Sequence, residues 1–154
     1  MRRLELGLTL ALAGLVAALL LYRPGPGAPP SPWCRGGPPL AGVYHVDRLR
    51  VRRRCDVAAG VVTSVKFEAF DGDVHVDLRE NGGGKLVVEI IPQDRSSVAV
   101  PVTGTRVTVV GPRVDDLAHG WPEIHPAWWI SSGSIIPATP RELARVNALL
   151  RDTQ

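Results

Sequence analysis

The chain has 154 residues, of which 45% are hydrophobic, and a formal net charge of +3. This length leaves room for one compact domain and excludes a multidomain architecture. Residues 1–54 hold nine basic and two acidic residues, a net charge of +7, whereas residues 55–154 hold nine basic and thirteen acidic residues, a net charge of −4. Binding to a phosphate backbone needs a basic face on the folded unit, so this distribution disfavours nucleic acid as a partner.

The N-terminal segment, residues 1–22, contains an uncharged run at residues 6–22 that is rich in Leu, Ala and Val and follows Arg2 and Arg3. This pattern predicts a signal anchor, a transmembrane helix that starts in the cytoplasm. A cleaved signal peptide is the alternative, although Pro24 and Pro26 interrupt the small-residue site that cleavage requires. We expect the rest of the chain to lie outside the cytoplasm, either membrane-anchored or secreted after cleavage.

A tether at residues 23–41 follows, and its first seventeen residues hold seven prolines and four glycines. Such a composition predicts a semi-rigid spacer. The chain has two cysteines, Cys34 and Cys55, and outside the cytoplasm they can pair. A disulfide between them would stabilise the domain by about 3 kcal/mol in the chain-entropy model. The alternative is two unrelated thiols.

Residues 42–131 have the periodicity of strands separated by turns, which predicts an all-β domain. The predicted strands cover residues 57–68, 74–79, 86–91, 105–110 and 123–130. Gly60, inside the long first strand, predicts a sharp bend there. Five strands in this arrangement predict a small OB-like Greek-key barrel, with a two-sheet sandwich as the alternative.

An arginine run precedes the first long strand, and Arg48, Arg50 and Arg52 alternate in it with Leu49 and Val51. The alternation predicts a short edge strand. One interpretation is a docking site for anionic lipid headgroups or a cell-surface polyanion. The other is a solvated edge whose charges prevent pairing with another strand.

Residues 132–154 form a linker and a C-terminal helix. The segment from Thr139 to Glu142, with Pro140 at the first helical position, is a capping box and predicts where the helix begins. Leu143 and Val146 lie on its apolar stripe, together with Leu150. We expect this helix to cover an open end or face of the sheet, because a helix of this length needs packing to persist.

Four polar residues on the predicted strands form the candidate site. Glu123 and His125 are two apart on one strand and therefore share a face, whereas Ile124 lies on the core side. In an OB-like barrel this strand pairs with the third strand, which carries Glu89, and the second strand beyond it carries His75. Two imidazoles and two carboxylates suit a divalent metal ion. The alternative is a buried polar network that fixes the last strand.

Several motifs occur in order along residues 57–131: Asp71-Gly-Asp-Val-His75, Glu89-Ile-Ile-Pro92, His119-Gly and Glu123-Ile-His125-Pro126. In this combination the domain resembles a widespread set of small exported bacterial domains of uncharacterised function, with the pattern D-x-D-x-H, E-I-P, H-G and E-[IL]-H-P. The sequence differs from that pattern in having Ile91 before Pro92 and a short distance between its last two motifs. The resemblance implies an OB-like fold and an extracytoplasmic location.

Three function classes follow from these residues. The first is a membrane-tethered binding module without enzymatic activity, whose ligand is an envelope protein or glycan and whose surface adds His119 and Trp121 to the four polar residues. The second is a metal-dependent hydrolase that uses the same residues, although no H-E-x-x-H motif or nucleophile elbow occurs. The third is a nucleic-acid-binding OB domain, for which the second and third strands lack aromatic residues.

Overall fold

The computed structural model describes residues 31–152, which form one six-stranded sheet and one helix. The strands are β1 (Leu49–Phe67), β2 (Val74–Glu80), β3 (Lys85–Ile90), β4 (Arg106–Asp116), β5 (Trp121–Ile124) and β6 (Trp129–Ile130), and the helix α1 covers Pro140–Asp152. The prediction of a mostly β domain with a C-terminal helix is confirmed. Within residues 31–152, no helix is long and apolar enough to cross a membrane. The predicted anchor and residues 23–30 of the tether lie outside the described residues.

Strand pairing brings together strands that are distant in the sequence. β1 pairs antiparallel with β4 along its first half and with β2 along its second half. β2 pairs antiparallel with β3, and β3 pairs parallel with β5. β4 pairs antiparallel with both β5 and β6. The pairing therefore runs from β1 through β2, β3, β5 and β4 and returns to β1.

β1 is longer than its sequence pattern predicts. The strand predicted at residues 57–68 is only its second half, and the arginine run predicted as a separate edge strand is its first half. The two join because β4 continues to Asp116 and pairs with this first half, with register shifts between Val51 and Asp56. At Gly60 a Cβ atom would collide with the carbonyl oxygen of Arg79, so glycine is required where β1 crosses β2.

The predicted strand over residues 123–130 is divided into β5 and β6. The ladder stops at Ile124, and Pro126 has no N–H with which to continue it. The chain then turns, and Trp129 begins a second short pairing with β4. His125 therefore lies just beyond the end of a strand.

The core lies on the inner face of this sheet. The alternation predicted for β2 and β3 is confirmed, because the following side chains are buried in one cluster: Val74, Val76, Leu78, Leu86, Val88 and Ile90. Ile124 of β5 joins them. Burial of each such side chain contributes roughly 1.5–3 kcal/mol. The opposite face of β3 is buried too, so that Glu89 is removed from solvent.

The capping box of α1 is formed as predicted. The backbone N–H of Thr139 donates to Glu142 Oε2 at 2.6 Å, and the N–H of Glu142 donates to Thr139 Oγ1 at 3.2 Å. Glu142 also accepts a hydrogen bond from Arg95 at 2.8 Å, and Arg145 donates to the carbonyl oxygen of Ala69. The helix is thus attached to the loop that joins β1 and β2.

The predicted disulfide is confirmed, with 5.8 Å between the Cα atoms of Cys34 and Cys55. It connects the segment before the domain to the middle of β1. In the same segment the ring of Trp33 stacks on Trp129 with 5.2 Å between centroids, and Arg35 donates to both carboxylate oxygens of Asp94 at 2.8 Å. Disulfides persist in oxidising compartments, so the bond indicates that the domain folds in one.

Candidate functional site

The register of three strands brings the predicted site residues together. His75 of β2 lies opposite Glu89 of β3 in the antiparallel ladder. Parallel pairing of β3 with β5 places Glu123 beside Val87, and His125 follows two residues later. The residues predicted from the alternation of three separate strands therefore lie in one neighbourhood.

His125 is the centre of this group. Its Nδ1 atom lies 3.3 Å from Glu89 Oε2 and 3.3 Å from Glu123 Oε2. The other oxygen of Glu89 accepts from His75 Nε2 at 3.0 Å. Glu89, Glu123 and His125 are fully buried, whereas His75 is partly exposed. We name these four residues and Asp73, described next, the inner network.

Asp73 belongs to the inner network, although the candidate set does not contain it. Its Oδ2 atom lies 3.6 Å from His125 Nε2, and only 4% of the residue is exposed. Asp73 belongs to the D-x-D-x-H motif, but it precedes the alternating part of β2, where a turn residue would be solvated. It is buried because Asp71 accepts from its N–H at 3.2 Å and its carbonyl accepts from Glu68 N at 2.8 Å, which fold the loop inward.

Burial and neighbouring charges move the pKa values of the inner network in opposite directions. Burial, followed by the negative charge of Glu89, raises the pKa of Asp73 well above its usual range. Burial alone would raise the pKa of Glu89, but His125 and the hydrogen bond from His75 outweigh it and lower this pKa to about 2. Burial would lower the pKa of His75, yet the hydrogen bond and charge of Glu89 raise it. Asp73 therefore keeps a proton more readily than Glu89 does.

Trp121 and His119 form an outer layer above Glu123. The indole Nε1 of Trp121 donates to Glu123 Oε1 at 2.6 Å. The His119 ring stacks on Trp121 with 4.7 Å between centroids, and the Lys85 ammonium lies 4.8 Å from the same indole centroid. His119 and Trp121, the two residues predicted to extend the surface of the four polar residues, thus lie at the edge of the inner network.

An open cleft of about 360 Å³ lies next to this layer, between the β1–β2 loop and the β4–β5 loop. The residues that line it are Arg48, Lys66, Glu68, Phe70, Asp71, His75, His119 and Trp121. His75 and Trp121 link this lining to the buried carboxylates of Glu89 and Glu123. The other lining residues, apart from His119, are missed by sequence reasoning because their common location depends on two loops meeting in space.

The charged side chains of the cleft are paired. Arg48 lies 3.1 Å from Asp116, which also accepts from His119 at 2.8 Å, and Lys66 lies 2.6 Å from Glu68. Each basic side chain in the lining, His75 included, has an acidic partner. The lining contains no Ser, Thr or Cys that could act as a nucleophile. The lining is therefore polar and charge-balanced, with aromatic side chains among its residues.

Arg48 of the arginine run lines the cleft, whereas the other arginines of the run lie elsewhere on the surface. Arg50 and Arg52 both pair with Asp115, and their hydrogen bonds lower the pKa of that carboxyl. Arg53 pairs with Asp56 at 2.9 Å, and Arg54 donates to the carbonyl of Gly37 at 2.8 Å. Arg50, Arg52, Arg53 and Arg54 are thus exposed and held by neighbouring carboxylates or a backbone carbonyl.

Comparison with known proteins finds no family model that matches the chain and no curated protein that matches its sequence. The resemblance to exported bacterial domains therefore stays a prediction, and function has to be inferred from the geometry.

Proposed function

We propose that this protein is a membrane-tethered binding module that presents an OB-like barrel outside the cytoplasm and binds an envelope glycan in the cleft. The barrel is supported by the pairing order that returns to β1, and by a long first strand with a required glycine where it crosses β2. In this proposal the module binds the glycan and does not transform it.

Its location is supported by the disulfide and by the apolar residues 6–22. The anchor and the cleaved signal peptide differ in the mass of the mature chain. We expect the intact mass in the membrane fraction. A shortened chain in the medium would show instead that the signal segment is cleaved and that the protein is secreted.

The cleft is the observation that carries the binding function. In OB barrels the loops after the first and fourth strands bind oligosaccharides and oligonucleotides, and the cleft lies between the corresponding loops. Phe70, which is 60% exposed, offers a face for a sugar ring, while Glu68 and Asp71 offer acceptors for its hydroxyl groups. Because the basic side chains are already paired, the lining favours an uncharged glycan over a phosphate backbone.

A glycan microarray probed with the full chain in mild detergent tests this function. We expect selective binding to a small set of oligosaccharides, which titration of tryptophan fluorescence then quantifies. Phe70→Ala should weaken that binding at least about tenfold, as the loss of a contact anchor does. The matched control is Phe67→Ala, because Phe67 is also exposed but does not line the cleft. Absence of any glycan binding, or equal loss in both variants, would contradict the proposal.

A metal-dependent hydrolase is the second candidate, and the buried group of Asp73, Glu89 and His125 favours it. A metal ion there would supply an activated water. Hydrolysis of ester or glycoside probes that requires metal and is lost in Asp73→Asn would support this candidate. A folded, metal-loaded chain with no turnover would eliminate it.

A further inference from the structure

His125 is held so that its two ring nitrogens have different surroundings. Nδ1 has two carboxylate partners, whereas Nε2 has no hydrogen-bond partner, although 98% of the side chain is buried. A buried polar atom without a partner is rare and calls for an explanation. We propose that Asp73, Glu89 and His125 bind a divalent transition-metal ion of the zinc class. This site goes beyond the cleft, and glycan binding does not depend on it.

The distance between Nε2 and Asp73 fits a shared metal ion better than a hydrogen bond. The two atoms are 3.6 Å apart, which is too long for a good hydrogen bond. Two ligand atoms on one tetrahedral zinc ion, each bonded at about 2.0–2.2 Å, lie about 3.4 Å apart. One ligand atom from each of Asp73, Glu89 and His125 lies within 4.8 Å of the others. These three residues are therefore close enough together to hold one metal ion.

The surrounding residues match the outer shell of a metal-bound histidine. Such a histidine binds the ion through one nitrogen and donates its other N–H to a carboxylate, which fixes the ring. Glu123 lies 3.3 Å from Nδ1 and is itself held by the indole of Trp121. His75 holds the second oxygen of Glu89 in the same way. His125 and Glu89 are thus oriented before an ion arrives.

The charges of the inner network also favour a cation. Three carboxylates and the His125 imidazole share a region from which water is excluded, and buried acids need compensation by positive charge. Imidazole nitrogen and carboxylate oxygen suit zinc, cobalt, nickel or manganese, whereas calcium requires six to eight oxygen ligands. An ion can enter from the cleft, because His75 and Asp71 line it and lie next to Glu89 and Asp73.

Metal content and thermal stability test the site without any assay of activity. The full chain is produced in an oxidising compartment, purified in mild detergent without chelator or affinity metal, and measured by elemental mass spectrometry. We expect near-stoichiometric zinc, or its uptake by the stripped protein with a rise in melting temperature of roughly 5–10 °C. Magnesium should give no such rise.

Matched variants locate the ion. Asp73→Asn keeps the shape of the side chain and should weaken zinc binding more than about 100-fold, while Glu123→Gln should weaken it about 10–100-fold. Asp77→Asn on β2 and His119→Asn in the cleft are the controls and should bind zinc as the wild type does. Circular dichroism establishes that each variant is folded.

Two results would overturn the site. One is a folded wild-type chain that binds no zinc, cobalt or nickel at millimolar concentration. The other is zinc that persists in Asp73→Asn but is lost in His119→Asn, which would place adventitious metal in the cleft. A chain that binds zinc but no glycan would support this site and contradict the proposed function. A chain that binds glycan but no zinc would contradict the site alone.

Discussion

The inner network and the cleft share His75, yet they differ in burial and in the elements that hold their side chains. In the inner network, His75, Glu89 and Glu123 lie on paired strands and are held by ladder register. Asp73 directly precedes β2 and His125 directly follows β5, and all members but His75 are buried. In the cleft, half of the lining residues come from two loops, and the side chains are partly exposed. Substitutions in the inner network should therefore act mainly on the fold, whereas substitutions in the cleft should act mainly on binding.

His125→Leu should have the largest effect on stability. The substitution leaves buried Glu89 and Glu123 without the donor that they share. Removal of one partner from a buried ion pair lowers the free energy of unfolding by about 3–5 kcal/mol. His119→Leu, in the exposed outer layer, should change the free energy of unfolding far less. Urea denaturation of both variants measures the comparison, and equal losses would show that the inner network does not hold the fold.

Loss of the disulfide should have the next largest effect. Cys34→Ser with Cys55→Ser should lower the free energy of unfolding by about 3 kcal/mol, because the unfolded chain regains the freedom of the closed loop. Glycan affinity should stay unchanged in the folded fraction, since neither cysteine lines the cleft. A variant that loses glycan affinity but keeps the wild-type free energy of unfolding would contradict this prediction.

The helix cap gives a smaller effect. Thr139→Ala should cost about 1 kcal/mol, because the N–H of Glu142 loses its acceptor. Val102→Ala, an exposed substitution remote from the cap, is the control and should have little effect in the same denaturation series. An equal, small change in both variants would mean that the capping box does not stabilise the domain.

Glu142 should also make stability depend on acid. The hydrogen bond from Thr139, followed by that from Arg95, lowers its pKa from 4.5 to about 2. A carboxyl with a lowered folded-state pKa contributes stability above its unfolded pKa and loses it as the pH falls through the folded value. The difference in stability between the wild type and Glu142→Gln should therefore be full above pH 4.5 and shrink toward pH 2. Denaturation at several pH values measures it, and a constant difference would contradict the assignment.

The smallest effect is expected in the arginine run. Arg50→Gln should leave stability unchanged within error, because Asp115 keeps Arg52 as a partner in an exposed pair. The same variant should leave glycan binding unchanged. A large loss of binding would move the ligand surface from the cleft to this edge.

The sequence predicts the strand-based part of the molecule better than the loop-based part. The alternation in β2 and β3 is enough to place His75 and Glu89 on the same face of neighbouring strands, and the capping box predicts the start of α1. The division of β5 from β6 follows from Pro126, but the return of the chain to β4 depends on tertiary pairing. Asp73 is missed because the side-chain period of a strand says nothing about a residue in the preceding turn.

The same limit explains the cleft. His119 and Trp121 are predicted because they lie in the densest polar and aromatic cluster of the sequence. Phe70 and Asp71 belong to a loop whose local sequence indicates only a turn, and their place opposite Trp121 depends on the long β1 and its pairing with β4. Contacts between distant loops follow from the whole fold and not from local periodicity.

The binding surface is tested most directly by nuclear magnetic resonance of the full chain, titrated with the oligosaccharide that binds best on the microarray. We predict shifts of the Trp121 indole and of backbone amides at residues 68–73 and 117–120, with little change at Trp33 and Trp129. Shifts centred on residues 50–54, or no shift at saturating oligosaccharide, would contradict a glycan-binding cleft between these two loops.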